Sequence, residues 1–202
     1  MAAAPARAGG PVAILIGPPG AGKTTIGRRL ARALRVDFID IDEEIEQREG
    51  RPIGQIFATD GEPAFRAIEE TVTAEVIATH PGVISLGGGA VMSVATRELL
   101  KRHQVVYLEL TDEEGIRRTI GSARPLLKSD DPAAAYRALM ARRTPVYREL
   151  ATIRVSTVGR APSSVVRQVQ RRLKDTAPGR ERRGPWPKLP AVLRTSAKNR
   201  SE

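Results

Sequence analysis

No cysteine occurs among the 202 residues. Disulfides and thiolate-ligated zinc or iron–sulfur centres are therefore excluded, and a reducing compartment fits the composition. Aromatic side chains make up only 3%, so the core that a chain of this length can bury has to come from Ile, Val, Leu and Ala. Long apolar runs are missing too. Nothing approaches the roughly 18 residues of a membrane helix, and the Ala-rich N-terminal residues lack the hydrophobic stretch of a signal segment. One domain, in the cytoplasm and away from membranes, is the expectation. Acidic residues are the minority, and the net charge of +10 raises the question of nucleic acid. Its distribution argues against that partner. From residue 176 onward seven basic side chains face two acidic ones, so half of the excess lies in a C-terminal stretch. The other basic residues are spread along helical segments among acidic ones.

What the sequence does have is glycine in the right places. Residues 17–24, Gly-Pro-Pro-Gly-Ala-Gly-Lys-Thr, fit the phosphate-binding loop pattern G-x-x-x-x-G-K-[ST]. Its required context is present: residues 12–16 read as a buried strand, and from Lys23 to Leu34 the apolar positions Ile26, Leu30 and Leu34 keep helical spacing. Glycines there let backbone N–H groups converge on phosphate oxygens at the positive end of a helix. Gly20, Ala21, Gly22, Lys23, Thr24 and Thr25 are thus the expected ATP-binding residues. Lys23 reaches the outer phosphates, and the Thr24 hydroxyl suits Mg2+, a hard cation that prefers oxygen and keeps most of its waters.

Further along, residues 38–42 read as a second strand, Phe-Ile-Asp-Ile-Asp, with Asp40 and Asp42 on one side of it. Carboxylates at the C-terminal end of a parallel strand face the place where open α/β sheets bind ligands. A helix cap at Asp42 is the plainer account of that residue, though it leaves Asp40 unexplained. A short helix at 53–57 and a longer one at 62–79 follow, the latter with Phe65, Ile68, Val72 and Val76 inward and Arg66 and Glu69 one step round as an i,i+3 pair. The strand at 83–86 runs straight into Gly87-Gly88-Gly89, which indicates a ligand approached by bare backbone, or else a flexible turn. A helix at 96–103, a strand at 105–110 and a helix capped by Asp112 and ending near Thr119 come next. Between residues 120 and 132 periodicity lapses. This stretch is expected to be a mobile lid, and its Arg124 can complete a phosphoryl-transfer site on closing. In the helix at 132–149, Arg143 lies four residues after Leu139 and three before Val146, on the apolar stripe, where an inward guanidinium needs an anion. A fifth strand at 152–156 and an amphipathic helix ending near Lys174 complete the domain. His80 and His103 lack a metal-ligand spacing. The domain is placed at residues 12–175, between a flexible N-terminus at 1–11 and a basic, disordered tail at 176–202.

Strands alternating with helices indicate an α/β fold: three αβα layers around a parallel sheet of about five strands. The carboxylates that follow strand two, rather than a late strand ending in Asp, favour a kinase with an acceptor hydroxyl over a switch or motor.

Taken together and in order, residues 17–25, Asp40-Ile41-Asp42, Phe65-Arg66-Ala67-Ile68-Glu69, Leu86-Gly87-Gly88-Gly89, Arg124-Pro125-Leu126 and Arg143-Thr144-Pro145-Val146-Tyr147 resemble the bacterial shikimate kinases, and the resemblance spans residues 12–174. It implies a P-loop NTPase fold with strand order 2-3-1-4-5, and ATP-dependent phosphorylation of the 3-hydroxyl of shikimate by a monomer with one Mg2+. It also implies roles. Asp42 would serve the acceptor hydroxyl as base or orienter. Arg66 and Arg143 would hold the shikimate carboxylate, with Gly87, Gly88 and Gly89 beside the substrate. Thr24, with Asp40 and Ser85 through water, would position the metal, Lys23 and Arg124 would stabilise the transferring phosphoryl, and Arg118 and Arg160 would flank adenine. The loop Val158-Gly159-Arg160-Ala161-Pro162 is less basic than its family counterpart, and the tail has no counterpart. Two alternatives remain at this point: a gluconate-type sugar-acid kinase, which should not need two arginines around a glycine triplet, and a basic binding protein whose nucleotide site regulates contact with nucleic acid.

Overall fold

Apolar strands and amphipathic helices alternate through the computed structural model, which describes residues 10–119 and 131–176. The order is β1 (Ala13–Ile16), α1 (Lys23–Leu34), β2 (Phe38–Asp40), α2 (Ile41–Glu49), α3 (Ile53–Thr59), α4 (Gly61–Thr79), β3 (Val83–Ser85), a 3₁₀ turn (Ala90–Met92), α5 (Val94–Leu100), β4 (Val105–Glu109), α6 (Asp112–Thr119), α7 (Pro132–Leu150), β5 (Ile153–Ser156) and α8 (Pro162–Asp175). All pairings in the five-stranded sheet are parallel, in the order β2-β3-β1-β4-β5. The expected architecture is the one found.

Alternation along the strands sorts the core into two layers. Ile14 and Ile16 of β1 face a cluster with Ile41, Ile45, Phe65, Val72, Val76 and Tyr147. Ala13 and Leu15 face Ile26 and Leu30 of α1 and Val165, Val166 and Val169 of α8. A smaller cluster joins Tyr136 and Met140 of α7 to Ile116 of α6. The order 2-3-1-4-5 places β1 centrally and brings the C-terminal ends of β1, β2 and β3 side by side, since Asp40 pairs with Ser85 and Ser85 with Leu15. The phosphate loop, the two aspartates and the glycine triplet therefore converge at one edge.

Several boundaries differ from expectation. The second strand stops at Asp40, whose carboxylate accepts from the Asp42 N–H at 3.1 Å and so opens α2 at Ile41. Asp40 rather than Asp42 is the cap, and Asp42, Glu43 and Glu44 occupy the first turn, where the helix dipole favours anions. Asp112 likewise falls inside its helix, and Thr111 Oγ1 accepts from the Glu114 N–H. The helix expected at 96–103 runs earlier because Ser93 caps it through the Thr96 N–H. Pro145 lies within α7 and does not end it. Most of the lid with Arg124, the N-terminal segment as far as residue 9, and the tail from residue 177 lie outside the described residues. Among the described residues no helix is long and apolar enough to cross a membrane.

Candidate active site

The phosphate loop turns where Gly20 and Gly22 adopt left-handed backbone, at φ +83° and +81°, which only glycine accepts without strain. It delivers Lys23 to the first turn of α1. The Lys23 ammonium donates to the carbonyls of Gly17 at 2.9 Å and Pro18 at 3.2 Å and thus lies over the mouth of the loop. Gly20, Gly22, Lys23, Thr24, Thr25, Asp40, Asp42, Ser85 and Arg118 line one cleft of about 220 Å³. Ala21 is buried beneath it. The Thr24 hydroxyl donates to Asp40 Oδ2 at 2.7 Å, so a hydroxyl and a carboxylate meet at a single point on the floor of the cleft, with Ser85 on the adjoining strand. That pair of oxygen donors, with room for water, suits a magnesium ion. Among the described residues no group of three or more His, Asp or Glu forms a protein-enclosed metal site, and a nucleotide-borne magnesium does not need one.

The glycine triplet forms the other end of the site. A Cβ at Gly87 would collide with Glu69 Oε1 and come within 2.7 Å of Asp42 Oδ1, one at Gly89 would run into the Arg66 guanidinium, and one at Gly88 would reach Arg143 Nη1 and the Tyr147 hydroxyl at 3.5 Å. Gly87 and Gly89 are bare because the Glu69, Asp42 and Arg66 side chains crowd over them, while Arg143 and Tyr147 approach Gly88 at ordinary contact distance. Asp42 touches both this end and the phosphate cleft, which places it between the two.

The two arginines here differ in kind. Arg66 donates to Glu62 at 2.9 Å and Glu69 at 2.6 Å. Burial works against its charge, but the two glutamates more than offset that and raise its pKa. Arg143 is 5% exposed and has no ion pair among the described residues. Burial lowers its pKa first of all; Tyr147 and Glu69 oppose the shift and Arg66 adds to it. It remains a cation, because arginine does not deprotonate at working pH. A buried guanidinium without an ion pair, beside bare glycine backbone, has the chemistry to receive a carboxylate.

Glu69 is what the sequence reading missed. It is 2% exposed, not a bland partner on a solvated face, and burial raises its carboxyl pKa in spite of Arg66, with Asp42 adding to the rise. The signal was available, for Glu69 falls four residues after Phe65 and three before Val72, on the buried stripe itself. Tyr147 also went unassigned; its hydroxyl donates to the Gly88 carbonyl at 2.5 Å and its ring stacks on Tyr107 at 5.2 Å.

Arg118 reaches the cleft from α6. It donates to the Gly20 carbonyl at 3.2 Å and to the Thr157 carbonyl at 3.3 Å, so it ties the phosphate loop to the loop after β5. Glu114 anchors it, and hydrogen bonds from Arg117 and Arg118 hold that carboxyl down at about 2. Arg160 stands apart from the cleft. With Ser164, Arg167, Gln168 and Arg171 it lines a separate surface depression, and it bonds Gln168.

Comparison with known proteins agrees with this arrangement. The family model described as shikimate kinase matches residues 19–174. A shikimate kinase from Mycobacterium avium (strain 104) is 59% identical over 167 residues, 82% of this chain and 95% of that protein. The solved shikimate kinase from Acinetobacter baumannii in complex with shikimate superposes with a TM-score of 0.79 at 38% identity, over 83% of this chain and 95% of that one. A gluconokinase from Sinorhizobium meliloti 1021 shares the fold alone, with a TM-score of 0.51 at 20% identity over 81% of this chain and 91% of that one. With a matching family model over most of its length and close relatives covered almost end to end, the chain belongs to the shikimate kinase family.

Proposed function

We propose that the protein transfers the terminal phosphoryl group of ATP to the 3-hydroxyl of shikimate, releasing ADP and shikimate 3-phosphate. The observation that carries this reading is Arg143: a buried cation without an ion pair among the described residues, set over Gly88, next to the Gly87 that Asp42 approaches from the phosphate cleft. A substrate with a carboxylate at one end and a hydroxyl at the other spans those two groups.

In this reading Arg143 and Arg66 bind the carboxylate, and Gly87, Gly88 and Gly89 let the ring lie against the backbone. Asp42 orients the acceptor hydroxyl and takes its proton as the oxygen attacks the terminal phosphorus; the bond to the bridging oxygen breaks and ADP leaves. No covalent enzyme intermediate is needed, since phosphoryl transfer is largely positioning and charge stabilisation. Lys23 neutralises the outer phosphates, and Arg124, from the segment expected to act as a lid, joins it. Thr24, with Asp40 and Ser85 through water, would hold Mg2+, which when bound neutralises phosphate charge. Gly20, Ala21, Gly22 and Thr25 supply the phosphate cradle. Arg118 lies where it can border the adenine; Arg160, in its separate depression, can join only from outside the cleft. The enzyme acts as a cytoplasmic monomer on ATP and shikimate.

The test is ADP release from ATP and Mg2+ with shikimate, quinate, gluconate or nucleoside monophosphates. Release with shikimate alone is expected. Release with gluconate instead would assign the sugar-acid reaction. Release with none of these, together with loss of nucleic-acid binding on deletion of residues 176–202, would move the function to the basic tail.

A further inference from the structure

Helix α7 carries two buried tyrosines that the reaction does not use directly. Tyr136 and Tyr147 are 1% and 0% exposed. They are eleven positions apart, which on an α-helix is about three turns, so both lie on one face about 16 Å from each other along the axis. Each hydroxyl donates to a loop carbonyl, Tyr136 to Pro19 in the phosphate loop at 3.0 Å and Tyr147 to Gly88 in the glycine triplet at 2.5 Å. Arg143 sits between them on the same stripe, and it too is buried.

A buried phenol hydroxyl costs stability unless it finds a partner, so a core that needed only the rings could use phenylalanine. Both hydroxyls here have gone to carbonyls of substrate-binding loops. Burial raises the Tyr147 pKa, which keeps its proton in place as a donor. Taking the carbonyl has a second effect, because it fixes a loop while leaving its N–H groups to face a ligand. Pro19 has no N–H, and its carbonyl is the only backbone polar group it can offer. The rings are themselves held: Tyr136 packs so closely on Gly115 that a Cβ there would overlap it, and Tyr147 stacks on Tyr107.

We propose that Tyr136 and Tyr147 are positioning residues through which α7 acts as a rigid spacer, setting the separation between the nucleotide end and the acceptor end of the site. The Tyr147 half rests on the shikimate kinase reading; the Tyr136 half needs only a nucleotide site. In-line transfer is steep in this separation, since misplacement by about 1 Å can lower the rate about a hundredfold.

The test is a pair of Phe substitutions, which keep the rings. Tyr136→Phe should raise the ATP KM, and the Kd for MgATP titrated without acceptor, by roughly three- to tenfold, the loss of about one hydrogen bond, with the shikimate KM within twofold. Tyr147→Phe should do the reverse. Because either tether alone cannot set a distance, the double variant should lose little more kcat than the worse single one. Changes in both KM values together, no change in either, or kcat losses that multiply would overturn the proposal. If unmodified enzyme fails to phosphorylate shikimate, the functional reading falls, whereas the MgATP titration of Tyr136→Phe still decides the nucleotide half.

Discussion

Replacing Arg143 by methionine should leave the protein as stable or more stable while crippling its use of shikimate. The guanidinium is 5% exposed, lacks an ion pair among the described residues and has its pKa pushed down chiefly by burial. Removing buried ionic groups in favour of apolar ones of similar volume is commonly neutral to a few kcal/mol stabilising. We expect a gain of about 0–2 kcal/mol, which at about 2–4 °C per kcal/mol for a domain of this size raises Tm by up to about 8 °C. For the substrate, losing the charged partner of a buried carboxylate costs about 2–5 kcal/mol, or about 30-fold and upward in shikimate KM, with the ATP KM nearly unchanged. Arg66 is the internal control. It is already paired with Glu62 and Glu69, so Arg66→Met strands the buried Glu69 carboxylate and should destabilise by about 3–5 kcal/mol. Calorimetric unfolding and a coupled ADP assay measure both quantities on the same samples. If Arg143→Met lowered Tm by several degrees and left the shikimate KM alone, the arginine would be structural and the carboxylate assignment wrong.

Asp42→Asn should reduce kcat by orders of magnitude with MgATP affinity and Tm preserved, because Asp40 and not Asp42 supplies the cap of α2; near-normal turnover would remove Asp42 from its role. Gly89→Ala places a methyl against the Arg66 guanidinium at a backbone angle, φ −96°, that alanine accepts. It should raise the shikimate KM about tenfold or more and shift Tm by only a degree or two, and an unchanged KM would show that Arg66 does not need its place there. Glu69 titrates above the ordinary glutamate value of 4.5. The folded state therefore binds the proton more tightly than the unfolded state, and this group's contribution to stability is full below about pH 4.5 and declines as pH rises through its raised pKa. Glu69→Gln should abolish that decline, so that its stability relative to the unmodified protein improves from pH 4.5 toward neutrality; parallel stability–pH curves would contradict the shift.

The sheet and most helices are legible because their signals are local or periodic, an apolar run before a glycine-rich loop and stripes at spacings of three and four, whereas the strand order comes only through the family resemblance. Position alone puts Arg143 on the buried face of its helix, as a charge on an apolar stripe. The same arithmetic applied to Glu69 would have found it, but a charged residue beside an opposite charge invites a solvated ion pair, and only packing shows that α4 turns Glu69 toward the glycine triplet. Alternation continuing through Ile41 extends the expected strand to Asp42. The side chain of Asp40 settled the matter by closing onto the Asp42 N–H, a contact two residues long that competes with strand extension and leaves no trace in hydrophobic pattern. The hydroxyls of Tyr136 and Tyr147 were unreadable for another reason: their partners are 117 and 59 residues away, and backbone carbonyls carry no sequence identity.

The charges around the glycine triplet also bear on which way round a substrate lies. Arg66 already shares its guanidinium with Glu62 and Glu69, so it offers an incoming carboxylate a partly neutralised partner, secondary to Arg143. Arg143 has no ion pair among the described residues, only a hydrogen bond with Tyr147 and the field of Glu69, and it approaches Gly88 while Asp42 approaches Gly87. A carboxylate near Asp42 would face repulsion from that residue and from Asp40 at short range, in a partly enclosed cleft where screening is weak. A carboxylate near Arg143 meets a desolvated cation and donors in bidentate geometry. In the proposed function the opposite binding mode would be disfavoured at both ends, leaving a hydroxyl, not a carboxylate, facing the phosphate loop. In the proposed binding mode Arg66 supports the carboxylate beside Arg143, and because it also holds the buried Glu69, its substitution should affect folding more than it affects orientation, whereas Arg143 should do the converse.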